Sequence, residues 1–233
     1  MTHRVDGGVF LVLEGGEGVG KTTQWQALRE TLTRAGHEVV ALREPGGTPA
    51  GDVLRAVLLD PASELASPSE ALLFAASRAQ LVHAVIRPAL DRGAVVLVDR
   101  FLLSTYAYQG AGRGLAIPAL RAVNAFATGD LVPSATLLLT MSLDQAMARM
   151  AARGGADRLE QAGEAFHRRV HQAFREATAP AWQASHPEVG PVFAVDADGP
   201  VEVVTARCLS VLSTVCPELS LATALDRGDM RYV

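Results

Sequence analysis

Apolar residues along this chain follow two rhythms. Short, mostly apolar runs at Val9–Leu13, Val39–Leu42, Ala94–Val98, Ala135–Thr140 and Val192–Val195 have the length of strands. Ala94–Val98 is apolar throughout, so both its faces are expected to be buried. Between these runs, apolar residues recur three and four apart. Lys21–Ala35 carries Trp25, Leu28, Leu32 and Ala35 at that spacing, and Gly36 can stop the helix. Ser69–Ile86 reads as a long helix with Leu72, Leu73, Ala76, Val82 and Ile86 turned inward. Ser142 and Gln145 form a capping box for Ser142–Ala152, which Gly154-Gly155 ends. Ala162–Ala177 has Phe166, Val170 and Phe174 on one stripe, and Val201–Val215 is a last helix.

Strands alternating with helices call for an α/β fold, here a five-stranded parallel sheet with helices on both faces. The 233 residues fit one domain, with no internal repeat or low-complexity linker. We expect that domain over residues 1–216, with 217–233 a tail or a short extra element. Ligands of such sheets bind beyond the carboxyl ends of the strands.

Composition narrows the partners. With 49% hydrophobic and 20% charged residues the chain can bury a full core. A net charge of −4 leaves no footprint for duplex DNA or an anionic membrane, so neither is an expected partner. No apolar run approaches a membrane span, and Met1–Asp6 has no signal-peptide core. Cys208 and Cys216, if on one helix, stand about 12 Å apart along its axis, too far for a disulfide. A reducing, cytoplasmic setting is expected. The six histidines have no metal-binding spacing, and no Ser-His-Asp pattern is present.

The sharpest chemical signal follows the first strand. Gly15-Gly16-Glu17-Gly18-Val19-Gly20-Lys21-Thr22 matches the phosphate-binding loop G-x-x-x-x-G-K-[ST], between a strand and an amphipathic helix. Its glycines let successive amides face inward, and the helix N-terminus adds partial positive charge. Lys21 would reach the β- and γ-phosphates, and the Thr22 hydroxyl suits Mg²⁺. Thr23 extends the loop. The loop alone suits kinases, GTPases and motor or partition ATPases; no guanine-reading N-K-x-D is found. Asp99, at the exit of Ala94–Val98, can hold Mg²⁺ through water or orient a hydroxyl; otherwise it is a cap or turn residue.

Arginines then suggest a second anion. Arg43 and Arg100 each directly follow a strand, and Arg153 and Arg158 lie in a later loop. Guanidinium groups bind phosphate oxygens bidentately and keep their charge. Phe74 and Arg78 share a helix face at i and i+4. They could stack and hydrogen-bond a base, or be a core phenylalanine and a surface ion pair; spacing leaves both open.

Five segments together resemble the thymidylate kinase family. They are Leu13–Thr23, Arg43-Glu44-Pro45-Gly46-Gly47-Thr48, Leu73–Gln80, the run Asp99-Arg100-Phe101 through Ser104-Thr105 to Ala107-Tyr108-Gln109-Gly110, and Asp157-Arg158-Leu159-Glu160. The resemblance implies a P-loop kinase that moves the γ-phosphate of ATP to dTMP, with Mg²⁺, in dTTP synthesis. It implies that Phe74 stacks on thymine, Arg78 bonds its O4, and Arg43 and Arg100 hold the dTMP phosphate. Glu17 would meet the sugar 3′-hydroxyl, Tyr108 and Gln109 would close over sugar and base, and Thr105 would line the base pocket. Residues 153–162 look like the lid and 196–201 like the adenine-side loop. The family's homodimers form through helices, expected to include Ser69–Ile86. Some members carry a basic residue where this chain has Gly18. The lid is therefore expected to supply the catalytic arginine, Arg158 first, with Arg153 against adenine. Ser77 stands where Asp or Asn is commoner, and Phe174 where Tyr is.

Overall fold

The computed structural model describes residues 7–154 and 157–221, without the Arg153 side chain. Five strands, β1 (Val9–Glu14), β2 (Val39–Arg43), β3 (Val95–Asp99), β4 (Ala135–Thr140) and β5 (Val192–Asp196), form one parallel sheet in the order β2-β3-β1-β4-β5. The central strands β1, β3 and β4 are buried almost end to end, as their unbroken apolar runs require. Strand order reverses at β1, so the loop after β1 opens at the sheet's switch point.

The helices are α1 (Lys21–Arg34), α2 (Pro49–Leu59), α3 (Ser67–Leu81), α4 (Arg87–Asp91), α5 (Leu102–Thr105), α6 (Ile117–Thr128), α7 (Leu143–Arg153), α8 (Glu164–Glu176), α9 (Pro180–Ser185) and α10 (Val201–Val215). Wider π-helical turns join α3 to α4 (Val82–Ile86) and extend α5 (Tyr106–Gly112). Alternate residues of β1 feed two cores. Phe10 and Val12 pack with the α3–α4 and α8 side, including Ile86, Leu90, Phe166, Val170 and Phe174. Leu11 and Leu13 pack with α1 and α10, including Leu28, Leu32, Leu209 and Leu212. No helix among the described residues is long and apolar enough to cross a membrane.

Ser142 caps α7 as expected, accepting from the Gln145 amide at 3.3 Å, while its hydroxyl donates to Gln145 Oε1 at 2.7 Å. The inward stripe of α3 corrects the sequence reading. Leu72 is 56% exposed and Ala76 is also exposed, whereas Ala71, Ala75 and Arg78 are buried. The buried face is rotated because Glu70, Ser77 and Arg78 all turn inward to polar partners. Helix α2 was not anticipated, although Thr48-Pro49 is a start signal: Thr48 Oγ1 accepts from the Gly51 amide at 3.0 Å with Pro49 opening the helix. The packed chain also continues past residue 216. Leu219 and Leu221 are buried in the α1–α10 core, and His37 Nε2 hydrogen-bonds the Leu219 carbonyl at 2.8 Å. Of the expected tail, residues 222–233 lie outside the described residues, as do residues 1–6.

Phe174 is 4% exposed and meets the Tyr108 ring edge-on at 6.1 Å. Phe174→Ala is expected to cost about 3–5 kcal/mol, lowering Tm in calorimetry by about 6–20 °C.

Candidate active site

The carboxyl ends of β2, β3 and β1 bring the sequence-predicted residues together. Leu13 stands opposite Asp99, and Asp99 opposite Arg43. Beyond this edge lies a cleft of about 960 Å³, lined by Glu17, Lys21, Thr22, Thr23, Arg43, Phe74, Arg78, Asp99, Arg100, Thr105, Tyr108 and Gln109 among others.

The phosphate loop bends on positive φ angles at Gly15 (143°), Gly18 (75°) and Gly20 (91°). Lys21 opens α1, is buried, and donates from Nζ to the Gly16 carbonyl at 2.6 Å. Burial and then the nearby Arg100 hold its pKa below the usual lysine range. Gly18 has a second reason to be glycine. A Cβ there would lie 2.2 Å from the Ala146 carbonyl oxygen of α7, so that helix packs directly on the loop. The same approach brings Arg149 Nη1 to 4.0 Å from the point where a Gly20 Cβ would sit.

On the acceptor side Arg78 is 2% exposed, so it is neither a surface residue nor in a surface ion pair. Nε donates to Glu44 Oε2 at 2.7 Å, Nη1 to Thr105 Oγ1 at 2.9 Å and to Asn124 Oδ1 at 2.8 Å, and Nη2 to the Phe101 carbonyl at 3.1 Å. A guanidinium has five N–H groups. Four are engaged, and one on Nη2 is left for a ligand beside the half-buried Phe74 ring. Burial pushes the Glu44 carboxyl up to about 7 against the pull of Arg78.

Arg100 sits at φ +71°, an uncommon conformation for a side-chain-bearing residue, pinned by its amide on the Leu13 carbonyl at 3.0 Å. Its Nη2 meets Glu17 Oε1 at 2.5 Å, and Nη1 donates to the Gly15 carbonyl and Ser104 Oγ. Its guanidinium lies 5.0 Å from the centre of the Tyr108 ring, and Tyr108 Oη donates to the same Glu17 oxygen at 2.9 Å. Burial, ahead of the surrounding carboxylates, keeps the Tyr108 phenol well above its ordinary range and therefore a donor.

Two cleft residues were missed from sequence. Arg55 lies on the unanticipated α2, beside Arg43; Nη1 donates to the Pro45 carbonyl at 2.8 Å, and burial followed by the Arg43 charge lowers its pKa. Arg149 belongs to α7 and lines the cleft; its position inside a helix that the sequence marks only by its cap carries no signal of that. Arg158 is placed otherwise than expected. It does not line the cleft; Nη1 pairs with Glu70 Oε2 at 2.8 Å and Nε donates to the Leu58 carbonyl at 2.8 Å. Its neighbours Asp157, Leu159 and Glu160 do line the cleft. The expected role of the Arg153 side chain lies outside the described residues. No group of three or more potential metal ligands from His, Cys, Asp and Glu occurs among the described residues.

Gly18→Ala must displace α7 from the loop. The overpacking is expected to cost about 1–3 kcal/mol, lowering Tm in calorimetry by about 2–12 °C.

A sequence model described as thymidylate kinase matches residues 13–205. A thymidylate kinase of Deinococcus radiodurans is 48% identical over 206 residues, spanning 88% of this chain and 97% of the relative. One of Pseudomonas fluorescens is 52% identical over 74% of this chain and 84% of its own. One of Clavibacter sepedonicus is 50% identical over 86% and 92%. With both a family match across most of its length and relatives about half identical to it, the chain belongs to the thymidylate kinase family.

Proposed function

We propose that the protein transfers the γ-phosphate of ATP to dTMP, giving dTDP and ADP, within dTTP synthesis. The observation that carries this reading is a single cleft containing both the phosphate loop and the Phe74, Arg78, Arg100 and Tyr108 side chains, with Glu17 bonded from the loop to Arg100 and Tyr108. A dTMP phosphate oxygen attacks the γ-phosphorus. The new P–O bond forms as the bond to the β-phosphate oxygen breaks, and ADP leaves with that electron pair. The nucleophile is already a phosphate monoester, so no general base is needed; alignment and charge neutralisation carry the rate.

In this reading the loop Gly15-Gly16-Glu17-Gly18-Val19-Gly20-Lys21-Thr22-Thr23 cradles the ATP phosphates, with Lys21 on the β- and γ-groups. Arg43, Arg55 and Arg100 hold the dTMP phosphate. Phe74 stacks on thymine, the remaining N–H of Arg78 meets O4, and Thr105 and Gln109 line the base. Glu17 takes the 3′-hydroxyl and Tyr108 crowds the place of a ribose 2′-hydroxyl. Arg158 is committed to Glu70 and to the Leu58 carbonyl and does not line the cleft. The cations for the transferred phosphate are therefore assigned to Arg149, facing the loop, and Arg153 one helical turn later, with Arg158 anchoring the turn that follows. Mg²⁺ suits the same end of the cleft. Asp99 Oδ1 is buried without a hydrogen-bond partner and the Thr22 hydroxyl lies alongside the cleft, an all-oxygen set fit for a hard cation. Thr22, and Asp99 through water, would hold it; when bound it neutralises charge on the phosphate oxygens.

A homodimer belongs to the proposal. Helix α3 packs against both α2 and α6, and the three expose Val53, Val57, Leu72 and Phe126 at 66%, 41%, 56% and 93%. Exposed large apolar residues on neighbouring helices support an interface there. A cytoplasmic location is part of the same reading, since the buried free thiols of Cys208 and Cys216 suit a reducing compartment.

Side-by-side turnover of dTMP, dUMP, dCMP, dGMP and AMP is expected to give the highest kcat/KM for dTMP; a preference for any other would overturn the substrate assignment. Loss of charged hydrogen bonds in Arg100→Ala is expected to lower kcat/KM for dTMP about 10- to 100-fold. Phe126→Asp is expected to shift the dimer to monomer in light scattering after size exclusion.

A further inference from the structure

The chemistry proposed above makes no use of Glu70, yet this carboxylate is 0% exposed in the first turn of α3. Three side chains from two other parts of the chain converge on it. Gln109 Nε2 donates to Oε1 at 2.9 Å. Arg113 Nε lies 3.2 Å from each oxygen and its Nη2 3.0 Å from Oε2. Arg158 Nη1 donates to Oε2 at 2.8 Å. A buried ion cluster is often no more stable than apolar residues of the same volume, so the meaning of this one is sought in what the acid joins.

Its two oxygens face different walls of the cleft. Oε1 holds Gln109, from the segment that also carries Thr105 and Tyr108. Oε2 holds Arg158, whose amide and Nε bond the Leu59 and Leu58 carbonyls at the end of α2. Arg158 thereby fixes a turn in which Asp157 Oδ1 accepts from the Leu159 and Glu160 amides at 2.9 and 3.0 Å. The other three residues of that turn line the cleft. Arg113 braces the acid from a third side, its guanidinium 4.6 Å from the centre of the Phe166 ring.

We propose that Glu70 is a positioning residue that sets Gln109 and the Asp157–Glu160 turn in one geometry, so that both walls of the cleft hold the two substrates in line. The inference rests on the kinase reading above. In-line transfer is sensitive to such spacing: a misplacement of about 1 Å can lower the rate about 100-fold.

The test is a mutant cycle in kcat and in KM for dTMP and ATP. Gln109→Ala, Arg158→Met and their double variant are measured with Glu70 intact and again with Glu70→Gln. Gln109 and Arg158 share Glu70 as partner, so with Glu70 intact the loss of kcat in the double variant is expected to be at least about fivefold smaller than the product of the single losses. With Glu70→Gln the losses should multiply to within about twofold. Glu70→Gln alone should lower kcat about tenfold or more. Losses that multiply with Glu70 intact overturn the proposal, as does a Glu70→Gln variant that lowers Tm but leaves kcat within twofold of wild type. Should Glu70→Gln fail to fold, the cycle with Glu70 intact decides by itself. A wild-type protein inactive on dTMP would instead sink the kinase reading, and this inference with it.

Discussion

Glu14 ends β1 with its carboxylate wholly out of water, and that burial raises its pKa against the pull of Arg100. What keeps the acid there is a tight set of donors just after β3. The Phe101 and Ser104 amides reach Oε1 at 2.8 and 3.0 Å, and Ser104 Oγ reaches Oε2 at 2.7 Å. This knot ties the start of the phosphate loop to the start of α5. Arg100 lies between the two and is driven into its positive φ, from which its guanidinium turns back to Gly15 and Glu17. Loop and acceptor arginine are thus one unit. The distance between the donor and acceptor halves of the cleft follows from a buried side chain that touches neither substrate in the proposed reading.

That dependence explains what the sequence made legible. Strand runs such as Val9–Leu13 and Ala94–Val98 are set by the period of the sheet and by burial on both faces, and these survive as read. The loop Gly15–Thr22 is legible because its φ angles and its lysine are local requirements. Arg78 is a different case. Spacing put it on one face with Phe74 but could not tell burial from solvation, because its partners Glu44, Thr105 and Asn124 are distant in sequence. The same long-range partners misled the reading of α3: a helix face was assigned from its leucines, while the inward positions went to Glu70, Ser77 and Arg78. Leu72 was left outside, 56% exposed, because the inward positions were already taken. Arg55 was lost with α2, where Thr48-Pro49 was a start signal passed over beside the stronger turn residues Gly46-Gly47.

Charge in the cleft follows a rule that the whole-chain value of −4 conceals. Three of the cations are held by partners that leave part of each free. Arg78 is caged on four of its five donors, Arg100 spends two nitrogens on Gly15, Ser104 and Glu17, and Arg55 leans on the Pro45 carbonyl. Fixed in advance, such groups need little reorganisation when a phosphate arrives, which is where electrostatic stabilisation has its greatest effect. Arg158 breaks the rule. Its Nη1 and Nε go to Glu70 and Leu58, neither of which lines the cleft, and its Nη2 is buried without a hydrogen-bond partner. The bonds to Glu70 and Leu58 make Arg158 an anchor of the turn, with Nη2 its one spare group.

The glycine at position 18 then acquires a physical meaning. A side chain there would have to occupy the space already filled by the Ala146 carbonyl, so a loop cation and a close-packed α7 exclude each other at this point. With Gly18, α7 can rest on the loop, and the rise of the helix carries Arg149 from that contact to the neighbourhood of Gly20. In the proposed reading, the arginine that the loop lacks at position 18 is supplied by the element that the loop's bare backbone admits. Arg149, Met150 and the turn that Arg158 anchors line one cleft, so its geometry is specified twice, by backbone packing at Gly18 and by the ion pair at Glu70.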